Sequence, residues 1–202
     1  MTKIKLCGMT RPCDIQWANA LMPDYIGFVF ARKSRRCVSP ERAKALRGEL
    51  DSSIRAVGVF VNEAPEVVAK LLGDGIIDIA QLRGGEDADY LQNLRKLTDK
   101  PMIQAFRVDG PADLERARQS VADLILLDNG AGGTGMAFDW ALLKNFKRPF
   151  FLAGGLVPEN VARAIQAVHP FAVDVSSGIE TDGAKDYNKM TAFVNAVRHE
   201  EG

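Results

Sequence analysis

Cys7 closes the apolar run KIKLC and is followed by Gly8, and Asp128 closes the run ADLILLD. These are the side chains best placed to move protons where a strand hands over to a loop. The two histidines do not compete for that work, since His169 precedes a strand in QAVHPF and His199 lies in the polar tail RHEEG. A histidine triad or multi-histidine metal site is therefore set aside, and acid and base chemistry falls to Cys, Asp, Glu or Lys. Strand alternation puts Lys3, Lys5 and Cys7 on one face and Ile4 and Leu6 on the other. If the apolar pair faces the helices, the other face points inward. A thiol with a reference pKa of about 8.5 then becomes a usable base beside a cation such as Lys5. The same cysteine also fits the role of a small core hydrophobe. Asp128, behind LILL, either finds donors or has its pKa raised, which suits a general acid, while its plainer role is a cap over the glycines that follow.

Two glycine-bearing loops follow the last two strands. LAGGL carries Gly154 and Gly155, and DVSSGIE carries Ser176, Ser177 and Gly178. Glycine lets a backbone approach a ligand closely, and clustered N–H groups form an anion site. The plainer reading of Gly154 and Gly155 is a tight turn into the helix begun by Pro158. In ARKSRRCVSPERA, Arg35 or Arg36 offers a planar fork for a carboxylate, although a basic run without aromatics also fits a solvated surface. Gly130, Gly132 and Gly135 spell G-x-G-x-x-G, but FDWALLKNF leaves room for only about two helical turns. The next strand, PFFLAGG, ends in glycines rather than an acid, so a dinucleotide site is not favoured.

The elements that must position these groups recur regularly. Short runs rich in Val, Ile and Phe return at intervals of roughly 20 to 25 residues with amphipathic segments between them, as in successive βα units. The strands are KIKLC, YIGFVF, RAVGVFV, IDIAQL, PMIQAFRV, ADLILLD, PFFLAGG and FAVDVSS. Helices are predicted over Pro40–Glu49, Pro65–Leu72, Ala88–Lys96, Pro111–Ser120, Pro158–Ala167 and Asp186–Arg198, several opened by proline or a capping Ser or Asp. Such a chain closes into a barrel or lies open as a doubly wound sheet. Cys7, Gln81, Asp128, Gly154, Gly155, Ser176 and Ser177 all fall at carboxyl ends of strands, which converge on one mouth only in a barrel. The reading is α/β, a single-domain (β/α)₈ TIM barrel over residues 1–202.

Composition narrows the partners. Lys plus Arg and Asp plus Glu both number 26, so no global field draws nucleic acid or an anionic membrane, and any anion must be held locally. No apolar run has signal-peptide or membrane-span character, which leads to the expectation of a cytoplasmic protein. Three cysteines, Cys7, Cys13 and Cys37, without a C-x-x-C, argue for thiols rather than disulfides or a zinc knuckle.

In combination, KLCGMT, GFVFARKSRRCVSP, VGVFVN, QLRG, GGTGMAFDW, LAGGL and DVSSGIE followed by GAKD resemble the phosphoribosylanthranilate isomerase family of tryptophan biosynthesis over nearly the whole chain. The resemblance implies a (β/α)₈ barrel and an Amadori rearrangement of N-(5-phosphoribosyl)anthranilate to 1-(2-carboxyphenylamino)-1-deoxyribulose 5-phosphate. It implies no metal or redox cofactor. Carried over by position, Cys7 is the general base, Asp128 the general acid, and Arg36 lies near the anthranilate carboxylate. Gly154, Gly155, Asp174, Ser176, Ser177 and Gly178 complete the expected substrate-binding set, and GAGGTG is expected to be a flexible loop over the mouth. The expected partner is the small phosphoribosyl substrate, with no nucleic acid and no membrane, in a monomer or homodimer. Two positions depart from the family pattern: Arg83 stands where histidine is usual, and Met136-Ala137 where Lys-Thr is usual. The rival readings are another phosphosugar-converting barrel and a non-catalytic phosphosugar-binding barrel.

Overall fold

The computed structural model describes residues 1–128, 140–143 and 145–200. Eight parallel strands close in chain order, β1 (Lys3–Cys7), β2 (Tyr25–Val29), β3 (Arg55–Phe60), β4 (Ile79–Leu82), β5 (Met102–Arg107), β6 (Leu124–Asp128), β7 (Phe150–Ala153) and β8 (Ala172–Val175), with β8 pairing back onto β1. The helices between and after them are α1 (Pro12–Leu21), α2 (Pro40–Glu49), α3 (Pro65–Gly73), α4 (Ala88–Leu97), α5 (Pro111–Gln119), α6 (Val161–Val168) and α7 (Tyr187–His199). A 3₁₀ turn, Trp140–Leu143, lies between β6 and β7. A second, Ser177–Ile179, leads into the short hairpin of β9 (Glu180–Thr181) and β10 (Ala184–Lys185). All eight predicted strands are present. No helix among the described residues is long and apolar enough to cross a membrane.

Strand alternation sorts the barrel into an outside and an inside. Ile4, Leu6, Ile26, Phe28, Phe60 and Leu82 join the outer core with Leu46, Leu72, Leu94, Ile165 and Phe193 from the helices. Each fully buried side chain of this kind contributes about 1.5–3 kcal/mol. The alternate residues Tyr25, Val57, Ile79, Ile103, Leu126, Phe151 and Ala172 fill the interior. Above that apolar plug Gln81, Asp128 and Asp174 bring polar side chains to the inward positions, beside the apolar group of Cys7, Val29 and Val59.

Three elements differ from the sequence reading. Helix α1 was not anticipated. Its entry is built by Asp14, whose Oδ2 accepts from the backbone N–H of Thr10 and Arg11, each at 2.9 Å, while Arg11 reaches Oδ1 through Nε and Nη2. Helix α6 begins at Val161 rather than Pro158, because the Asn160 side chain folds back onto the loop, accepting from Val157 N and donating to Gly155 O. The β9–β10 hairpin turns through Asp182 and Gly183, both at positive φ. The glycine-rich stretch with Gly130, Gly132 and Gly135, together with Met136-Ala137, lies outside the described residues.

Candidate active site

A cavity of about 380 Å³ opens at the carboxyl ends of the strands. Cys7, Arg36, Asp128, Asp174, the glycine pair 154–155 and the run 176–178 all line it, so the residues singled out from five separate stretches of chain meet on one surface. A second cavity, of about 810 Å³, lies over the ends of β4 and β5 and shares Arg83 and Asp128 with the first.

Cys7 is buried on the inner face of β1, directly above Lys5. Lys5 is fully buried and its ammonium lies 2.9 Å from Asp174 Oδ1, its register partner on β8. Burial pulls the Lys5 pKa down, but the charges of Asp174 and Cys7 outweigh it and hold the ammonium above its ordinary value. A permanent cation thus sits under the thiol. Room for the sulfur comes from the strand beside it: Gly27 is the register partner of Cys7, and a Cβ there would stand 2.6 Å from Sγ. The glycine inside YIGFVF was the available signal for this packing, since a glycine within a strand often marks a close approach.

Asp128 ends β6 on the inner face and is nearly buried. Burial raises its pKa, the Arg83 guanidinium that donates to Oδ2 lowers it, and Asp174 raises it again; the net result lies above the ordinary carboxylate value. Such a carboxyl holds a proton at higher pH than an exposed aspartate. Arg83 is therefore a direct neighbour of Asp128.

The loops after β7 and β8 lie against each other. Gly154 and Gly155 take φ of 91° and 66°, which a side chain would strain, and a Cβ at Gly178 would fall 1.9 Å from Leu156 O. Ser176 Oγ donates to Cys7 O at 3.1 Å, tying the last loop to the first strand.

One cluster was not foreseen. Arg36 grips Glu180 through Nε at 2.6 Å and Nη2 at 2.7 Å, Lys185 donates to Glu180 Oε1 at 2.7 Å and to Ser176 O at 2.9 Å, and Arg35 adds a bond at 2.8 Å. Burial pushes the Glu180 carboxyl up, yet the bonds from Arg36 and Lys185 outweigh it and hold it at about 2. Burial lowers the Lys185 pKa, and Glu180 only partly restores it. The hairpin thus fixes the guanidinium that the sequence assigns to a carboxylate. Among the described residues no group of three or more His, Cys, Asp or Glu side chains is gathered to hold a metal ion.

The model of the N-(5'-phosphoribosyl)anthranilate (PRA) isomerase family matches residues 4–196. The N-(5'-phosphoribosyl)anthranilate isomerase of Thermoanaerobacter sp. (strain X514) is 44% identical over 204 residues, covering 98% of each chain. The crystal structure of phosphoribosyl anthranilate isomerase from Thermotoga maritima is 36% identical with a TM-score of 0.90, covering 98% of this chain and 100% of that one. At the same identity and coverage, a crystal structure of such an isomerase in complex with reduced 1-(o-carboxyphenylamino)-1-deoxyribulose 5-phosphate gives a TM-score of 0.88.

Proposed function

The chain belongs to the N-(5'-phosphoribosyl)anthranilate isomerase family and is an isomerase of tryptophan biosynthesis, and from that premise we propose that Cys7 is its general base and Asp128 its general acid. The observation that supports these roles is their convergence on one cavity, with a buried ammonium beneath the thiol and a carboxyl whose pKa is raised by burial. Strands β1 and β6 are separated by β7 and β8 on one side and by four strands on the other, so the two groups face a substrate from different walls.

In this reading Asp128 gives a proton to the ribose ring oxygen, the C1–O bond breaks, and the ring opens to a protonated Schiff base. Cys7, as the thiolate, removes the proton from C2, and that electron pair forms the C1–C2 double bond of the enolamine. Loss of the hydroxyl proton and protonation at C1 then give the ketone. Each positioned transfer contributes about 10²- to 10⁴-fold. Lys5 stabilises the thiolate by its charge, and Asp174 holds Lys5 in place.

The glycines at 154, 155 and 178, with Ser176 and Ser177, form the phosphate-holding edge, the usual place in a barrel of this kind. Arg36 receives the anthranilate carboxylate with the N–H groups that Glu180 does not use. The partner is the small phosphoribosyl substrate alone, without nucleic acid or membrane, in a cytoplasmic monomer or homodimer. The test is turnover of phosphoribosylanthranilate, followed by loss of anthranilate fluorescence. A folded protein that binds the substrate without converting it would favour the phosphosugar-binding reading.

A further inference from the structure

Among the described residues, Oε1 of Gln81 is the only buried side-chain nitrogen or oxygen atom without a hydrogen-bond partner. The side chain lies on the inner face of β4, two residues beyond Ile79 of the barrel plug, and is 2% exposed. It helps to line the cavity that holds Cys7 and Asp128, beside Val59 and Leu126. Its register partners on the flanking strands are Val59 and Ile103, which bring no polar side-chain atom. Nothing in the fold calls for an amide there. Methionine would fill the same length without stranding an acceptor, and a buried acceptor left unpaired is destabilising. A polar group kept at such a cost is expected where a ligand completes it.

We infer that Gln81 is a substrate-binding residue whose carboxamide accepts a hydrogen bond from the sugar chain held between Cys7 and Asp128. The chemistry of the substrate selects that portion. An amide oxygen needs a hydrogen to accept; the ionised phosphate and carboxylate offer none as dianion and anion, whereas the ribose hydroxyls and the bridging amine do. The phosphate belongs to the loops after β7 and β8 and the carboxylate to Arg36, so the sugar chain is also what remains for the middle of the cavity. This inference rests on the active-site reading above.

The test compares wild type with Gln81→Met, with Gln81→Leu as a second apolar variant and Gln81→Asn, which keeps the amide but withdraws it by one methylene. Affinity is measured for reduced 1-(o-carboxyphenylamino)-1-deoxyribulose 5-phosphate and, separately, for inorganic phosphate. The expected result for Gln81→Met is a Tm higher by about 2–4 °C, binding of the reduced product weaker by at least about tenfold, and phosphate binding unchanged. Gln81→Asn should lose the same affinity without the gain in Tm. A purely structural glutamine would move stability and affinity in the same direction. Reduced product bound by both apolar variants within about twofold of wild type overturns the inference, as does equal weakening toward product and phosphate. Failure of the wild type itself to bind the reduced product would instead bring down the active-site reading, and Gln81 with it.

Discussion

Replacing Glu180 with Gln tests how the hairpin holds Arg36. The carboxylate is 4% exposed and takes two bonds from Arg36 and one from Lys185, itself 2% exposed. Each pH unit is worth about 1.36 kcal/mol, so a carboxyl held at about 2 instead of 4.5 represents about 3 kcal/mol. Removing one partner of a buried ion pair costs about 3–5 kcal/mol by a separate route, which agrees. The contact from Arg35, whose side chain is 61% exposed, adds little. A glutamine also turns an NH₂ toward donors it cannot accept from. The folded carboxyl lies below its unfolded value, so the stabilisation is complete above about pH 4.5 and fades as pH falls toward about 2. Urea unfolding at stepped pH should therefore show wild type more stable than Glu180→Gln by about 3 kcal/mol near pH 7, with the gap closing in acid. A gap below about 1 kcal/mol, or one that does not narrow with acid, would refute the reasoning.

Cys7→Ala and Asp128→Asn should each keep affinity for a phosphorylated product analogue while lowering kcat by at least about a hundredfold; near-normal kcat in a folded Cys7→Ala protein would remove the thiol from the chemistry. Gly27→Ala places a Cβ 2.6 Å from Cys7 Sγ and 3.1 Å from its Cα, so the thiol must shift. That change should cost kcat up to about a hundredfold with only about 1–3 kcal/mol of stability, whereas unchanged kinetics would show that the sulfur needs no such seat. In a background lacking Cys13 and Cys37, Lys5→Met should slow alkylation of Cys7 by iodoacetamide at neutral pH, and an equal rate would deny the ammonium its part in forming the thiolate.

The strands were legible because a barrel strand is buried on both faces, and runs such as YIGFVF and RAVGVF leave little else to read. Proline and the capping residues Ser39, Asp87 and Asp186 marked most helix starts. Helix α1 escaped although Pro12 opens it, because Arg11 ahead of it is not a usual capping type, its entry being closed by the Arg11–Asp14 side-chain pair, and because its apolar buried stripe is narrow, only Ile15, Ala18 and Leu21. The β9–β10 hairpin has two residues per strand, too few for any alternation to register. Its Asp182-Gly183 pair was the one sequence signal, and a hairpin that short does not announce what it carries.

What it carries changes the meaning of Arg36. Sequence could assign a guanidinium to a carboxylate by type, but residue 36 shares no local pattern with the hairpin pair 180 and 185, and their meeting depends on the closure of β8 against β1. The structure already supplies Arg36 with one carboxylate, and Gly8 leaves space for its stem, since a Cβ there would lie 2.5 Å from Arg36 Cδ. A guanidinium fixed at two of its five N–H groups is held in one plane before any ligand arrives. Binding a second carboxylate on the remaining N–H groups then costs little side-chain entropy, whereas an unpinned arginine would lose that freedom on binding. On the proposed mechanism, precision at Arg36 matters for the proton transfers as well as for affinity. The aryl carboxylate is joined through the amine to C1, so a misplaced carboxylate would draw C2 away from Cys7. Glu180→Gln should accordingly raise KM and also lower kcat, and a rise in KM alone would mean that Arg36 holds the substrate without helping to aim it.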